Sequence, residues 1–515
     1  MQTIKKRGVV AAVMGVLLVG FNANVMADTT DDIINALVAK GVLTEEEGAL
    51  IQKGRQGEKD VADKKKKESA SGKVKNGTIS LESGDGNNSI ALSGRVHFDV
   101  RSVEANKDQT GDAKSDRDTK TLADNFEVRR ARLGVKGKVA KDFDFEMQAN
   151  LVGSNTNILD VAYVNWAHFQ PFQIRVGQFK QPFNLEEQMS SNNLDFMERS
   201  YVNQIAPTKK PGVMVHGVPA TGLTYAASVY QQNNWGEEST NGDGKAFAGR
   251  ATLNFAEMAG WKDAVFHLGA AGFDTEYDIQ PATSSQTNVG PSTTTRGTVF
   301  SFRSGGRGLA NAYRAQIAGD SINTASYNTS GNYTAKIDNR AYGLELAAAY
   351  GPFKFQSEYT GQTFDAKHDQ TGNKLKADVD AWYAEALWML TGEHYADWYK
   401  NGVWGAIKPK SEFDLDSGKG LGAWEIGLRY DEFSVDNTSI TGSANSRFQG
   451  STDANGNGGA KTYTAGLKWV MNPNLRMLLN YSHTKYDEKF APIDVTGGKL
   501  NDKEDLLMLR TQLAF

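Results

Sequence analysis

The sequence contains no cysteine, which excludes disulfides, thiolate nucleophiles and cysteine-ligated metals. Proline is scarce, 11 residues against 53 glycines, and that balance argues against an ordinary multi-domain enzyme. Histidine is sparse too: His97, His168, His216, His267, His368, His394 and His483 show no metal-ligand spacing. Neither a glycine-rich phosphate loop nor a G-x-S-x-G elbow is present. The sequence therefore points to no enzyme, no cofactor and no metal. Positive charge is not in excess either: the formal net charge is −4, which gives no reason to expect a nucleic-acid partner.

Long apolar runs are also missing beyond the N-terminus. Lys5, Lys6 and Arg7 precede an apolar run from Gly8 to Phe21, and Val25-Met26-Ala27 offers a small-residue cleavage site before Asp28. This is the order of a secretory signal peptide, residues 1–27; the run is shorter than the roughly 20 residues a spanning helix requires. Its removal takes away three positive charges, leaving −7. The exported chain is then expected to be periplasmic, secreted or a β-barrel.

Residues 28–56 read as a short helical segment. Ile33, Ile34, Leu37, Val38 and Leu43 recur at helical spacing, and Thr44-Glu45-Glu46-Glu47 has the form of a capping box. The stripe is too small to bury alone, so a short coiled coil or a frayed amphipathic tether is expected. Residues 57–88, with Lys64 to Lys67 in a run, read as a charged linker.

From residue 89 to 515 segments of about ten residues alternate apolar and polar. Phe143, Phe145, Met147, Ala149 and Leu151 share one face; Asp144, Glu146, Gln148 and Asn150 share the other. Trp424, Ile426, Leu428 and Tyr430 alternate with Glu425, Gly427 and Arg429, and Tyr463, Ala465, Leu467 and Trp469 with Thr464, Gly466 and Lys468. A soluble β-sandwich would alternate similarly, but connection lengths separate the two. Short turns at Ala140-Lys141-Asp142, Tyr350-Gly351-Pro352 and Asn472-Pro473-Asn474 stand between long polar insertions near 104–124, 181–211, 231–245, 274–338, 364–378, 436–460 and 487–503. Short turns at one end and long loops at the other predict an all-β, antiparallel transmembrane barrel of about sixteen strands. The connection 391–421 falls on the short-turn side yet is long, and the alternation does not account for it. The chain ends with Leu507, Leu509, Thr511, Leu513 and Phe515 on one face, which looks like the terminal strand of bacterial outer-membrane proteins.

Several motifs carry a closer resemblance. Arg175-Val176-Gly177-Gln178-Phe179-Lys180-Gln181-Pro182-Phe183, with Phe196-Met197-Glu198-Arg199-Ser200 and Pro211-Gly212-Val213-Met214, is similar to the phosphate-selective porin family, porins O and P. So is Phe126-Glu127-Val128-Arg129-Arg130-Ala131-Arg132-Leu133-Gly134-Val135-Lys136-Gly137, as are Tyr383-Ala384-Glu385-Ala386 and Leu390-Thr391-Gly392-Glu393. The resemblance implies a homotrimeric outer-membrane channel, embedded in lipid and passing small anions such as phosphate, with loop 181–211 folded into the lumen. The even strand number leaves both barrel ends periplasmic, and the apolar stripe of residues 31–55 would then associate as a three-helix bundle around the axis of the implied trimer.

Pore-lining, anion-binding candidates follow. Arg129, Arg130 and Arg132 fall in the arginine motif, and by parity Arg130, Arg132, Lys136 and Lys138 share the water-filled side. Arg175 and Lys180 belong to the second motif. Between Ile279 and Gly319 the only charges are Arg296, Arg303, Arg307 and Arg314, which would form an electropositive funnel resembling the arginine row of the family's fifth loop. Arginine suits phosphate because its planar fork donates two parallel hydrogen bonds. Inward carboxylates such as Asp144, Glu146 and Glu425 oppose this, so a general pore of mixed selectivity stays open beside anion preference. An adhesin or structural tether, with its long external loops, is the further alternative.

Overall fold

The computed structural model describes residues 30–75, 77–105, 124–152, 158–232, 244–279, 298–308, 312–317, 335–368, 372–442, 447–449, 455–487 and 503–515. The expected signal peptide and Arg296 lie outside the described residues. The chain forms two units, residues 1–70 and 71–515.

The first unit is a helical hairpin of α1 (Thr30–Ala39) and α2 (Glu45–Glu68). The capping box forms: the Thr44 amide donates to Glu47 Oε2 at 2.9 Å and the Glu47 amide to Thr44 Oγ1 at 3.2 Å. The apolar stripe finds a partner within its own chain, because α1 folds back on α2. Ile34 is buried, and a Cβ at Gly48 would lie 2.7 Å from Val38 Cγ2, so only glycine lets the helices approach there. Val42 and Leu50 stay exposed. The helix also runs on to Glu68, through much of the expected linker 57–88. Lysine is a good helix former, and a helix charged on all sides shows no apolar stripe to betray it.

The rest of that stretch is a hairpin, β1 (Ala70–Lys75) and β2 (Thr78–Ser83). It turns at Gly77, whose φ of 71° favours glycine, and β2 continues onto the next strand through Ser80↔Ala91. A closed antiparallel barrel follows, of sixteen strands: β3 (Ser89–Ala105), β4 (Asn125–Val139), β5 (Phe143–Asn150), β6 (Leu159–Phe169), β7 (Phe172–Lys180), β8 (Lys209–Ala220), β9 (Leu223–Gln231), β10 (Lys245–Asn254), β11 (Ala264–Ile279), β14 (Ala335–Tyr350), β15 (Phe353–His368), β16 (Lys374–Met389), β19 (Ala423–Thr441), β21 (Gly458–Val470), β22 (Leu475–Tyr486) and β23 (Lys503–Ala514). Apart from these sixteen there are a three-stranded sheet, β12 (Thr298–Phe302), β13 (Tyr313–Gln316) and β20 (Arg447–Gln449), whose Phe300, Phe302 and Tyr313 pack with Tyr201 and Phe433, and a small hairpin, β17 (Tyr399–Lys400) and β18 (Val403–Trp404). Closure comes from β23 against β3, with Leu513 opposite Val96, and Phe515 exchanges backbone bonds with Gly94 at 2.9 and 3.1 Å. This pairing closes the ring, so among the described residues each of the sixteen barrel strands has a neighbour on both sides.

Alternation sorts the side chains as expected. Val96, Phe98, Leu133, Val164, Val176, Leu344 and Leu428 are exposed on the outer face, while His97, Asp99, Arg130, Asn165, Gln356 and Arg429 are buried inside. Aromatic rings on the outer face pair across strands at two levels. Phe353–Trp388 and Trp424–Trp469 lie toward the short turns, and Tyr342–Tyr359, Trp382–Tyr430 and Tyr430–Tyr463 toward the long loops. Such rings suit the two edges of a lipid layer.

The wall is uneven. Strands β5 to β10 run 8 to 12 residues, whereas β11, β14, β15 and β16 run 16 and β19 runs 19. The loop expected at 181–211 spans 181–208, because Lys209 already opens β8, and its side chains are largely buried inside the barrel. The connection 391–421 also turns inward. Tyr395, Trp404 and Ile407 pack with Leu185, Met189, Leu194 and Phe196 of the loop, Trp404 Nε1 donates to Gln356 Oε1 at 2.7 Å, and Tyr395 donates to Glu425 at 2.8 Å.

Candidate functional site

The loop divides the bore because it is held firmly on one side. Its short helix α3 (Leu185–Gln188) points its first amides, Leu185 and Glu186, at the Glu358 carboxylate of β15, 2.7 and 2.8 Å away, as helix N-termini favour anions. Glu186 accepts from the Ser200 amide, Asn203 and Arg429 at 3.0, 2.7 and 2.8 Å. Asp195 bridges Lys354 and Lys468 at 2.6 and 3.4 Å. Burial pushes its carboxyl up, but the two lysines outweigh this and hold it below the usual carboxylate range. The Tyr201 amide donates to both oxygens of Asp431 at 3.0 and 3.1 Å. Here nearly every charge has a partner.

Opposite, the loop leaves a cavity of about 950 Å³ against β3 to β8. Ten basic side chains line it: Arg95, Arg129, Arg130, Arg132, Arg175, Lys180, Arg199, Lys209, Arg303 and Arg307. Four carboxylates do so, Glu146, Asp160, Glu187 and Glu198, a formal excess of six positive charges.

Arg129 and Arg130, neighbours in sequence, both face this cavity because of a β-bulge. His97 pairs with Arg130 but Phe98 with Val128, so Arg129 is the extra residue. Simple parity would send it outward. Arg129 grips Glu198 with two bonds of 2.9 and 3.1 Å, and Arg510 adds a third at 2.7 Å. Burial pushes the Glu198 carboxyl up, but Arg129, Arg510 and Arg130 outweigh it and hold it well below the usual range. Arg132 pairs with Asp160 at 2.9 Å, and Lys209 pairs with the same carboxylate; Arg199 meets Glu187 at 3.5 Å; Arg307 meets Glu127 at 2.7 Å. Arg95, Arg130, Arg175 and Arg303 have no carboxylate in salt-bridge range among the described residues. Arg95 is held instead by Ser191 Oγ at 2.8 Å, and its Nε, like those of Arg132 and Arg175, is buried without a hydrogen-bond partner. Burial and the neighbouring Arg307, Arg129 and Arg101 push the Arg303 guanidinium down from its ordinary value.

Several expected site residues therefore change standing. Lys180 lines the cavity, but its ammonium donates to the carbonyls of Glu187 and Met189 at 2.5 and 2.7 Å; it fastens the loop rather than offering a free cation. Lys136 and Lys138 face inward but lie exposed near the turn end of β4, outside the cavity. Arg314 sits on β13, donating to Thr298 Oγ1 at 2.7 Å, and does not reach the lining. Arg95, Arg199 and Lys209, which are not among the candidates from the sequence, line the cavity as well. Among the described residues no cluster of side chains could hold a metal ion.

The sequence profile of the family described as phosphate-selective porin O and P matches residues 90–515. Porin O of Pseudomonas aeruginosa is 26% identical over 451 residues, 85% of this chain and 91% of that protein. Among solved structures, OmpT of Vibrio cholerae in its trimer form aligns at a TM-score of 0.45 with 9% identity, covering 83% of this chain and 99% of that one. An anion-selective porin from Comamonas acidovorans aligns at 0.41 with 13% identity, covering 83% and 100%. The profile match runs along the whole barrel: the chain belongs to the phosphate-selective porin O and P family, and is an outer-membrane porin, a channel rather than an enzyme.

Proposed function

We propose that the cavity is the selecting constriction of a diffusion channel that prefers anions, phosphate among them. The observation that carries this is the pairing pattern. Four lining arginines, Arg95, Arg130, Arg175 and Arg303, have no carboxylate in salt-bridge range among the described residues, while the lining as a whole keeps six positive charges in excess. An anion entering a partly desolvated bore meets guanidinium forks able to donate two parallel bonds to two oxygens. Several such sites in series raise its local concentration without binding it too tightly to leave. Phosphate is the family's named solute, and its tetrahedral oxygens suit converging arginines. The channel is read as a homotrimer with a cleaved signal peptide and a periplasmic N-terminal helical unit.

The zero-current potential across a potassium chloride gradient tests the preference, and phosphate added to the bath tests the solute. Anion preference gives a potential of the sign set by chloride, and phosphate then lowers the chloride current. A potential near zero instead favours mixed selectivity, for which Glu146, Asp160, Glu187 and Glu198 in the lining are the supporting observation.

A further inference from the structure

Part of the lining is unsuited to a purely inorganic solute. Among the polar side chains that line the cavity lies an apolar patch centred on β6: Leu159 and Tyr163 at its surface, over Val161, Phe179 and Met214, which are buried. A water-filled bore for small hydrated ions gains nothing from such a floor, since inward positions of porin strands are ordinarily polar. Arg175 lies in the middle of it. Its guanidinium carbon sits 4.3 Å from the centre of the Tyr163 ring and 5.9 Å from that of Phe179, its Nε has no hydrogen-bond partner, and no carboxylate among the described residues is in salt-bridge range of it.

Glycine makes that arrangement possible. Tyr163 faces Gly177 across β7, and Gly177 faces Gly212 across β8, so no side chain stands directly opposite the ring on that side and Arg175 can lean over it; on the other side Glu146 stands opposite and accepts from the Tyr163 hydroxyl at 3.1 Å. A Cβ at Gly177, where φ is 128°, would fall 2.2 Å from the Ala162 carbonyl oxygen; a side chain is excluded there.

Resting on the reading of an anion channel, we propose that this patch is a subsite for flat organic anions, aromatic carboxylates above all, which it holds more tightly than inorganic or short aliphatic anions of equal charge. The chemistry is complementary on two counts. A carboxylate matches the guanidinium edge bidentately. An aryl carboxylate is planar throughout, so it can lie along a surface already made of a guanidinium plane and an aromatic ring. A cavity of about 950 Å³ also falls in the range of roughly 300–1,000 Å³ typical of sites for organic ligands.

The test is block of chloride current through single channels of the full-length protein in planar bilayers, comparing benzoate with acetate and inorganic phosphate. Benzoate is expected to half-block at a concentration about tenfold below acetate, the ratio that stacking against Arg175 and Tyr163 would supply. In Tyr163→Leu and, independently, in Arg175→Lys, which keeps the charge but loses the plane, that ratio should fall toward one. Equal half-blocking concentrations for benzoate and acetate in the wild type overturn the subsite. So does a large ratio that persists in both variants. The zero-current potential, recorded in the same bilayers, reports on anion preference separately, so a failure of the channel reading is not confused with a failure of the subsite.

Discussion

The two halves of the bore hold the same kinds of side chain and do opposite things with them. Along β14 to β21 the charges face one another and the loop: Arg429 bridges Glu186 and Glu385 at 2.8 Å each, and Lys468 meets Glu425 at 2.6 Å. Along β3 to β8 the basic residues outnumber their partners and border a cavity. The open half is also the richer in arginine, but a count alone does not say which guanidinium a solute can engage. What separates them is whether each guanidinium has a carboxylate, since a paired charge fixes structure whereas an unpaired one stays available to a solute.

The largest expected effect comes from breaking the closed half. Arg429→Met leaves Glu186 and Glu385 buried without their cation, a loss of about 3–5 kcal/mol for a buried pair. The thermal unfolding midpoint of the detergent-solubilised protein should fall, and single-channel current should become noisy as the loop loosens. A wild-type midpoint with quiet current would show that the loop is held elsewhere.

Lys180→Met should be milder, about 1.5–3 kcal/mol for the hydrogen bonds of one charged donor, with little change in zero-current potential because this ammonium already serves backbone carbonyls. A large shift in potential with unaltered stability would return Lys180 to the anion path.

Acid should sharpen the contrast further. The Glu198 and Asp195 carboxyls are held below their ordinary range, so their contribution to stability is present above the unfolded values of about 4 and is lost as pH falls toward the depressed ones. Unfolding midpoints should stay nearly level from about pH 7 to 5 and drop below about pH 4; a steep decline already near neutrality would contradict this. The smallest effect is expected from Lys136→Gln with Lys138→Gln. These exposed charges should alter the potential only at low ionic strength, where screening extends beyond about 10 Å.

Much of the barrel was legible in the sequence because lipid outside and water inside impose alternation on every strand. The site was legible only in part, for local reasons. Parity could not place Arg129, because a bulge resets the count between Val128 and Arg130. Arg95 was readable: it alternates with Val96 and Phe98 and stands directly across from Arg132. Arg199 lay inside a recognised motif, but nothing local announces that it lines the cavity from a loop. That Lys180 faces carbonyls depends on how the loop folds back, which no spacing records. The 391–421 connection was opaque because its partners, Gln356, Glu425 and the loop's apolar residues, are distant in sequence. The helix through Lys64 to Lys67 carries no stripe, so its charge resembled a linker.

The central claim is that unpaired arginines of the open half, not arginine content, set selectivity. The most direct test is the zero-current potential of a variant with Arg95, Arg130 and Arg175 all changed to Gln, beside the wild type, across one potassium chloride gradient. These changes take the formal excess in the lining from six to three, so the potential should move toward zero by roughly half. A potential equal to that of the wild type in the folded, conducting triple variant would contradict the account.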